Sequence, residues 1–306
     1  MTVCISAIAE NDEAIVSCVD TMVSNEVTTR EPMLGEKMTG IKGWMVLNSG
    51  ILSYSESLMD TFFALMNQAE DNDPTTVRRL LESALRVEMQ KFLADGYLTP
   101  FGIDMPTFLS RTGSGNFTDE RWNELHRAML DYSEQYNVEL LVSGWGASQE
   151  KLPERHSRAL LYSVSRNGVT SHSDEGFYTC GSGSPTAHSM LSFFNYERSF
   201  YLPRAIYCVA AAKFMAERTA GVGKTTVLRV ASRAGSSQFK GYYIQPDELE
   251  KLRKVWEASG MPRMTEEAED LIAAIVSDHQ GSAHVSMEHM ARNVNKAIRQ
   301  AASQDT

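Results

Sequence analysis

A threonine directly follows the initiator methionine of this 306-residue chain. Initiator methionine is normally removed when the next residue is small, so processing would leave Thr2 with a free α-amine. A threonine hydroxyl is a poor nucleophile until a base takes its proton. A terminal amine, with a pKa near 7.7–8.0, can act as that base at neutral pH. A second stretch with chemical potential is AGVGKTT at 220–226, which has the look of a phosphate-binding loop. Arg218 stands where that pattern needs its first glycine, and Lys224 is followed by TTVLRV. A phosphate loop needs a helix there to aim N–H groups at the anion, whereas this run is β-branched. The stretch therefore reads as a helix end, a glycine turn and a strand.

The elements that must position Thr2 begin at once. Residues 2–9 (TVCISAIA) and 14–19 (AIVSCV) read as two strands joined by the polar turn Glu10-Asn11-Asp12-Glu13, a hairpin, with 21–29 as a possible continuation. Residues 43–48 form a further buried strand ending at Ser49-Gly50. Leu52, Leu58, Met59, Phe62, Phe63 and Met66 recur at helical spacing over 52–70, and Asp71-Asn72-Asp73-Pro74 ends that run. Thr75 or Thr76 is expected to cap a second helix over 77–94, stopped by Gly96. Residues 97–117 read as a loop with at most one short helix, and Thr118 caps a helix to about 136. Strands follow at 138–145, 158–164, 169–173 and in FYTC before the turn GSGSP at 181–185. Helices fit 185–194 and 203–218, and strands fit 225–232 and 239–244. From Pro246 the chain reads as helical, over 246–259, 265–278 and 286–302.

Composition bounds the partners. A formal charge of −10 argues against nucleic-acid and anionic-membrane binding, both of which reward a basic face. No apolar run reaches the length of a transmembrane helix. Residues 1–9 lack the charged start of a signal peptide, and Glu10, Asp12 and Glu13 follow immediately. Cys4, Cys18, Cys180 and Cys208 show no CxxC spacing and sit in apolar surroundings, as reduced, buried thiols would. A cytoplasmic location is the expectation.

The order of polar landmarks along this framework is informative. Asp20 ends the second strand in SCVDTMVS, Lys37 lies seventeen residues on, and Gly50 thirteen further after WMVLNS. GSGSP and AGVGKTTVLRV come later. This order resembles the proteasome β-subunit family of N-terminal nucleophile hydrolases, over residues 2–58 and about 138–232. The resemblance implies an α+β fold, a four-layer αββα sandwich. Its core domain would span 1–245 with a helical insertion at about 96–137, and 246–306 would be a helical extension packed on it.

It also implies roles. Thr2 would be nucleophile and, through its amine, general base; Asp20 would orient Lys37; the Lys37 ammonium would favour the ionised hydroxyl. The Gly50 N–H would bind the oxyanion, and Ser182 would hydrogen-bond near the amine. Asn48 and Ser49 would shape the substrate wall. Lys42, five residues beyond Lys37, is the competing candidate for the cation. Thr219 and Val222 stand where the family often carries an acidic residue and a serine, and Glu217 is offset by two. The implied activity is threonine peptidase action on peptides or unfolded protein, without cofactor or metal. It would take place in a homo-oligomeric ring, with an ATP-dependent unfoldase as a possible partner. A non-catalytic structural subunit and a small-amide hydrolase are the alternatives.

Overall fold

The computed structural model of the chain describes residues 2–24, 29–30, 37–110, 118–145, 158–234 and 238–260. The chain divides into two compact units, Met1–Trp256 and Glu257–Thr306. The sheets and the seven described α-helices belong to the first. The helices expected over 265–278 and 286–302, and the loop beyond Ser110 as far as 117, lie outside the described residues.

The architecture is mixed α+β, built on two five-stranded antiparallel sheets. The first sheet is organised around the N-terminal hairpin. β1 (Cys4–Ala9) pairs with β2 (Ala14–Asp20) in the register Cys4↔Val19 through Ala9↔Ala14. On its other side β1 pairs with β10 (Phe177–Cys180). β2 pairs in turn with β11 (Thr226–Ala234), and β11 with β12 (Gln238–Tyr243). β1 and β2 are interior strands, and every one of their residues is buried. That explains CISAIA and AIVSCV: a strand covered on both faces reads as a continuous run of small and apolar residues.

The second sheet runs in the order β5 (Met38–Ile41), β6 (Trp44–Gly50), β7 (Val138–Trp145), β8 (Ala159–Ser165) and β9 (Gly168–Ser171). A short hairpin of β3 (Val23–Ser24) and β4 (Thr29–Arg30) stands apart. β5 went unread in the sequence because it is only four residues long. Its turn signal is present: Lys42 and Gly43 take φ of 44° and 86°, the left-handed pair that a tight hairpin needs.

Alternation along the strands assigns the two faces of the second sheet. Met45, Leu47, Leu141 and Leu161 join Cys4, Ile8, Ile15 and Val19 of the first sheet in one buried cluster. Within this layer Ser6 bonds Ser17 at 3.2 Å and Ser143 at 3.1 Å, so three buried hydroxyls satisfy one another across the sheets. The opposite face presents Trp44, Val46, Leu140, Val142 and Val164 to α1 (Leu52–Gln68) and α2 (Pro74–Leu93). Those helices contribute Leu58, Phe62, Met66, Val77, Leu81 and Leu85 to the cluster. Glu88 of α2, buried, accepts from the hydroxyls of Ser57 and Thr61 at 2.6 Å each and pins the pair together. Against the outer face of the first sheet lie α5 (Ser184–Phe193) and α6 (Leu202–Ala216). The small residues Ala205, Ala210, Ala211 and Ala212 are all buried there and permit close approach of α6 to β1 and β2.

Two local expectations need correction. The cap of α2 is Asp73, whose carboxylate accepts from the N–H groups of Thr75 and Thr76, and Pro74 takes the first helical position. An aspartate caps better than the threonines behind it because its charge also meets the positive helix end. Gly96 does not stop the helix: a wide turn carries the path through Ala94–Leu98, and a short tight turn through Thr99–Phe101 ends at Gly102, φ 68°. Gly96 instead admits a neighbour, since a Cβ there would lie 2.2 Å from the Tyr132 hydroxyl of α4 (Asp119–Ser133). Together with α3 (Met105–Ser110), this segment builds its own small core of Leu98, Phe108, Leu125 and Met129. The last described helix, α7 (Pro246–Val255), opens with a reciprocal cap between Gln245 and Glu248. No described helix is long and apolar enough to cross a membrane.

Two expectations for stability follow from this packing. Leu141→Ala empties a site shared by both sheets and is expected to cost about 2–5 kcal/mol, measured by urea denaturation. His172 bonds Ser163 at 2.9 Å and stacks on Tyr178, and burial holds its pKa below the ordinary 6.5. Its contribution is complete above 6.5 and is lost as pH falls through the lowered native value. His172→Gln is expected to flatten that part of the stability–pH curve.

Candidate active site

The hairpin register decides where the carboxylate falls. The β1–β2 pairing continues past Cys4 to a bond from the Asp20 N–H to the Val3 carbonyl, at 3.3 Å. Asp20 thus ends β2 beside the residue that follows Thr2. It is fully buried. Its Oδ1 accepts from the Val3 N–H at 3.0 Å and from Lys37 Nζ at 3.2 Å, and its Oδ2 accepts from the Gly223 N–H at 3.1 Å.

Lys37 precedes β5, and its carbonyl accepts from the Asn48 N–H of β6 at 3.1 Å. Its side chain is 7% exposed. The ammonium donates to Thr2 Oγ1, to Asp20 and to the Met22 carbonyl. All three of its protons therefore have acceptors. A buried cation touching a hydroxyl oxygen favours the ionised form of that hydroxyl, and the low surrounding dielectric strengthens the effect. Lys42 does something else. Its ammonium donates to the carbonyls of Met66 at 2.7 Å and Ala69 at 3.0 Å, closing the C-terminus of α1.

The third side is the turn after β10. The Thr2 N–H donates to Ser182 Oγ at 3.1 Å, and the Thr2 carbonyl accepts from Ser182 Oγ at 3.3 Å and from the Gly183 N–H at 3.1 Å. Gly181, at φ 89°, lets the turn close. A Cβ there would come within 2.4 Å of the Thr2 carbonyl oxygen and 3.0 Å of Ser49 Oγ. The Gly181 N–H is fixed by Glu139 of β7 at 2.8 Å.

Thr2, Asp20, Lys37 and Ser182 are thus brought together by direct bonds. Ser49 borders them through Gly181. Asn48 faces the other way, as strand alternation requires: its amide reaches Met59 Sδ of α1 at 3.5 Å, while its carbonyl accepts from the Cys4 thiol. Gly50 closes β6 at φ 99°, where a Cβ would lie 2.3 Å from the Asn137 carbonyl oxygen. No hydrogen bond joins Gly50 to Thr2 among the described residues. Glu217 does not reach Thr2 either, but pairs with Lys213 and Arg253. Thr219 bonds Thr186, and Val222 is buried next to Gly183. Glu139, the Met22 carbonyl and Gly223 belong to the site and were not singled out in the sequence. Glu139 and Gly223 lie far from Thr2 along the chain, and Gly223 and Met22 act through backbone atoms.

Cys18, Cys180 and Cys208 offer no rival nucleophile. Burial pushes the Cys18 thiol up to about 12 and Cys208 up to about 11. A hydrogen bond with Cys4, then burial, pushes Cys180 well up. All three stay protonated at neutral pH, and attack needs the thiolate.

The two sheets, their covering helices and the N-terminal hairpin define a proteasome-like fold. The chain is similar to the solved structure of a mutant of Anbu from Hyphomicrobium sp. strain MC1, at 12% identity and a TM-score of 0.55, over 85% of this chain and 94% of that one. Likeness at such identity is one of fold, and it singles out no particular member of the class. No family model and no curated protein sequence matches the chain.

Gly181→Ala is expected to be strongly destabilising. It would strain a left-handed backbone position and force a methyl into the Thr2 carbonyl, at a combined cost of more than about 1 kcal/mol. A lowered Tm checks it, and unchanged melting would contradict the geometry given for the turn.

Proposed function

We propose that this chain is a proteasome-like threonine peptidase acting through Thr2 once Met1 has been removed. The observation that carries the reading is the Lys37 ammonium bonded to Thr2 Oγ1 and held by buried Asp20. A structural protein gains little from burying a lysine against a hydroxyl at the start of a strand, because desolvating an ammonium costs several kcal/mol unless it is paired. A hydrolase gains a hydroxyl poised to lose its proton.

In this mechanism the free amine of Thr2 takes the hydroxyl proton as Oγ1 attacks the peptide carbonyl carbon. Lys37 stabilises the charge on Oγ1 as it forms. The Gly50 N–H, assigned by family resemblance, receives the carbonyl oxygen as it becomes an oxyanion. The amine then passes its proton to the leaving nitrogen, the C–N bond breaks, and the acyl group remains as an ester on Thr2. Water, deprotonated by the same amine, attacks the ester carbon and restores the hydroxyl. Ser182 holds the nitrogen of Thr2 and so aims the base. Ser49 belongs to the wall of the substrate site in this reading, whereas Asn48, turned toward Met59 of α1, does not line it.

The same reading makes the architecture a four-layer αββα sandwich of the N-terminal nucleophile type. Its support is the core shared by the two sheets, with α1 and α2 on one outer face and α5 and α6 on the other. Peptides or unfolded proteins are the substrates. A cytoplasmic homo-oligomeric ring encloses the sites, with an ATP-dependent unfoldase as the feeding partner. Phe101, Leu109 and Leu130, exposed on the helical insertion, are the surfaces offered for ring contacts.

Intact mass is expected to show Met1 gone, and a peptide boronate or epoxyketone is expected to form an adduct that maps to Thr2. Thr2→Ala should abolish peptide hydrolysis while leaving folding intact. Lys37→Ala should lower kcat by about a hundredfold or more, the scale of one lost charge-stabilising contact, while Lys42→Ala keeps activity. Undiminished turnover in Thr2→Ala would discard the assignment. Native mass spectrometry tests the ring.

A further inference from the structure

Asp20 is gripped from two sides, and only one belongs to the reaction. Its Oδ1 faces Lys37, but its Oδ2 is held by the N–H of Gly223 in the turn between α6 and β11. Only glycine fits there, since a Cβ would sit 2.6 Å from the Met22 Cβ and 3.1 Å from Asp20 Oδ2. The carbonyl of the same glycine accepts from Lys213 Nζ at 2.8 Å. Lys213 lies in α6, fully buried, and its ammonium also meets Glu217 one helical turn later at 2.6 Å. The Glu217 side chain, 6% exposed, receives both terminal nitrogens of Arg253 at 2.5 and 2.9 Å. Arg253 is on α7. It donates to the Lys224 carbonyl at 3.1 Å, and its guanidinium lies 4.2 Å over the Phe214 ring.

The charges alternate along this path: Arg253 positive, Glu217 negative, Lys213 positive, Asp20 negative, Lys37 positive. α6 is otherwise filled at this level by alanine, cysteine, valine and phenylalanine. A methionine at 213 would bury the same volume without desolvating a charge, so the lysine is a costly choice for packing alone. What it gains is a fixed position for the Gly223 backbone.

We propose that Lys213, Glu217 and Arg253 are positioning residues of the Thr2 site, acting through Gly223 on Asp20, so that the seating of α7 sets the reactivity of Thr2. The inference rests on the reading of Thr2 as nucleophile. Without Arg253, Lys213 is the one cation left to Glu217, beside a long bond from the Thr226 hydroxyl at 3.4 Å. The ammonium is drawn toward Glu217 and away from the Gly223 carbonyl, and the Gly223 N–H loosens from Asp20. Lys37 then loses the rigid partner that keeps it against Oγ1. Anything that lifts or seats α7 acts on the same chain of bonds.

The test uses the full-length chain carrying Arg253→Met, Arg253→Lys or Lys213→Met. Arg253→Met is expected to lower kcat, and the rate of boronate labelling at Thr2, by about tenfold, with KM changed by less than about twofold, because the substrate wall is untouched. The Gly223 amide should exchange its hydrogen faster in Arg253→Met. Arg253→Lys should recover a large part of both effects, since it restores the charge. Lys213→Met should act in the same direction and more strongly. If it fails to fold, the two Arg253 variants decide, because that side chain lies at the edge of the network. Unchanged kcat and unchanged Gly223 exchange in a folded Arg253→Met protein would overturn the relay. So would a loss of activity that tracks only a lower Tm and is not recovered by Arg253→Lys. Wild-type protein that never labels at Thr2 would instead discard the nucleophile, and the relay with it.

Discussion

The structure around Thr2 depends on one buried ion pair. Lys37 and Asp20 are both nearly inaccessible to water, and each would be costly there alone. Their mutual bond offsets only part of the desolvation. The remainder is met by supplementary partners: the Met22 carbonyl and Thr2 Oγ1 for the ammonium, and the Val3 and Gly223 N–H groups for the carboxylate. Most of these are backbone groups, fixed by the β1–β2 register and by the turn before β11. The pair is therefore stable only where two strands and a turn converge, and Thr2 lies at that convergence.

Three lysines illustrate how environment separates similar side chains. Lys42, on a hairpin turn, closes the C-terminus of α1 with its charge. Lys213, buried in α6, is matched by a glutamate one turn along and by a carbonyl. Lys37 alone has a hydroxyl among its acceptors. The chemical opportunity comes from that acceptor, because a carbonyl or carboxylate facing an ammonium has no proton to give up. The same reasoning sets Thr2 apart from the Cys18 thiol, whose pKa burial pushes up to about 12.

Rigid surroundings supply the precision. β1 is an interior strand, paired on both sides by β10 and β2, so the residues that lead into it are held firmly. The Gly181–Gly183 turn closes over the Thr2 carbonyl from the neighbouring strand β10, and Glu139 of the second sheet anchors that turn. Both sheets thus contribute to holding one residue. The segment that carries Leu98, Phe108, Leu125 and Met129 has a small core of its own.

Much of this was legible before any coordinates. Continuous apolar runs at CISAIA and AIVSCV marked interior strands, because a strand covered on both faces has no polar side to show. The 3.6-residue spacing of α1 and α2 marked helices with one buried face. Thr2, Asp20, Lys37 and Ser182 were distinctive in type and order. What the sequence left open was settled by pairing across the sheets. Lys42 competed with the preferred Lys37 as the cation, and the structure directs Lys42 toward α1 and Lys37 toward Thr2. Asn48 and Ser49 were equivalent until alternation placed them on opposite faces of β6. Glu217 was two residues from a useful place until α6 paired it with Lys213 and Arg253. Local pattern fixes the element and its buried face, because propensity and periodicity act over a few neighbours. Which side chain meets which depends on register and on backbone donors such as Gly223, and those contacts join residues as far apart as Asp20 and Gly223.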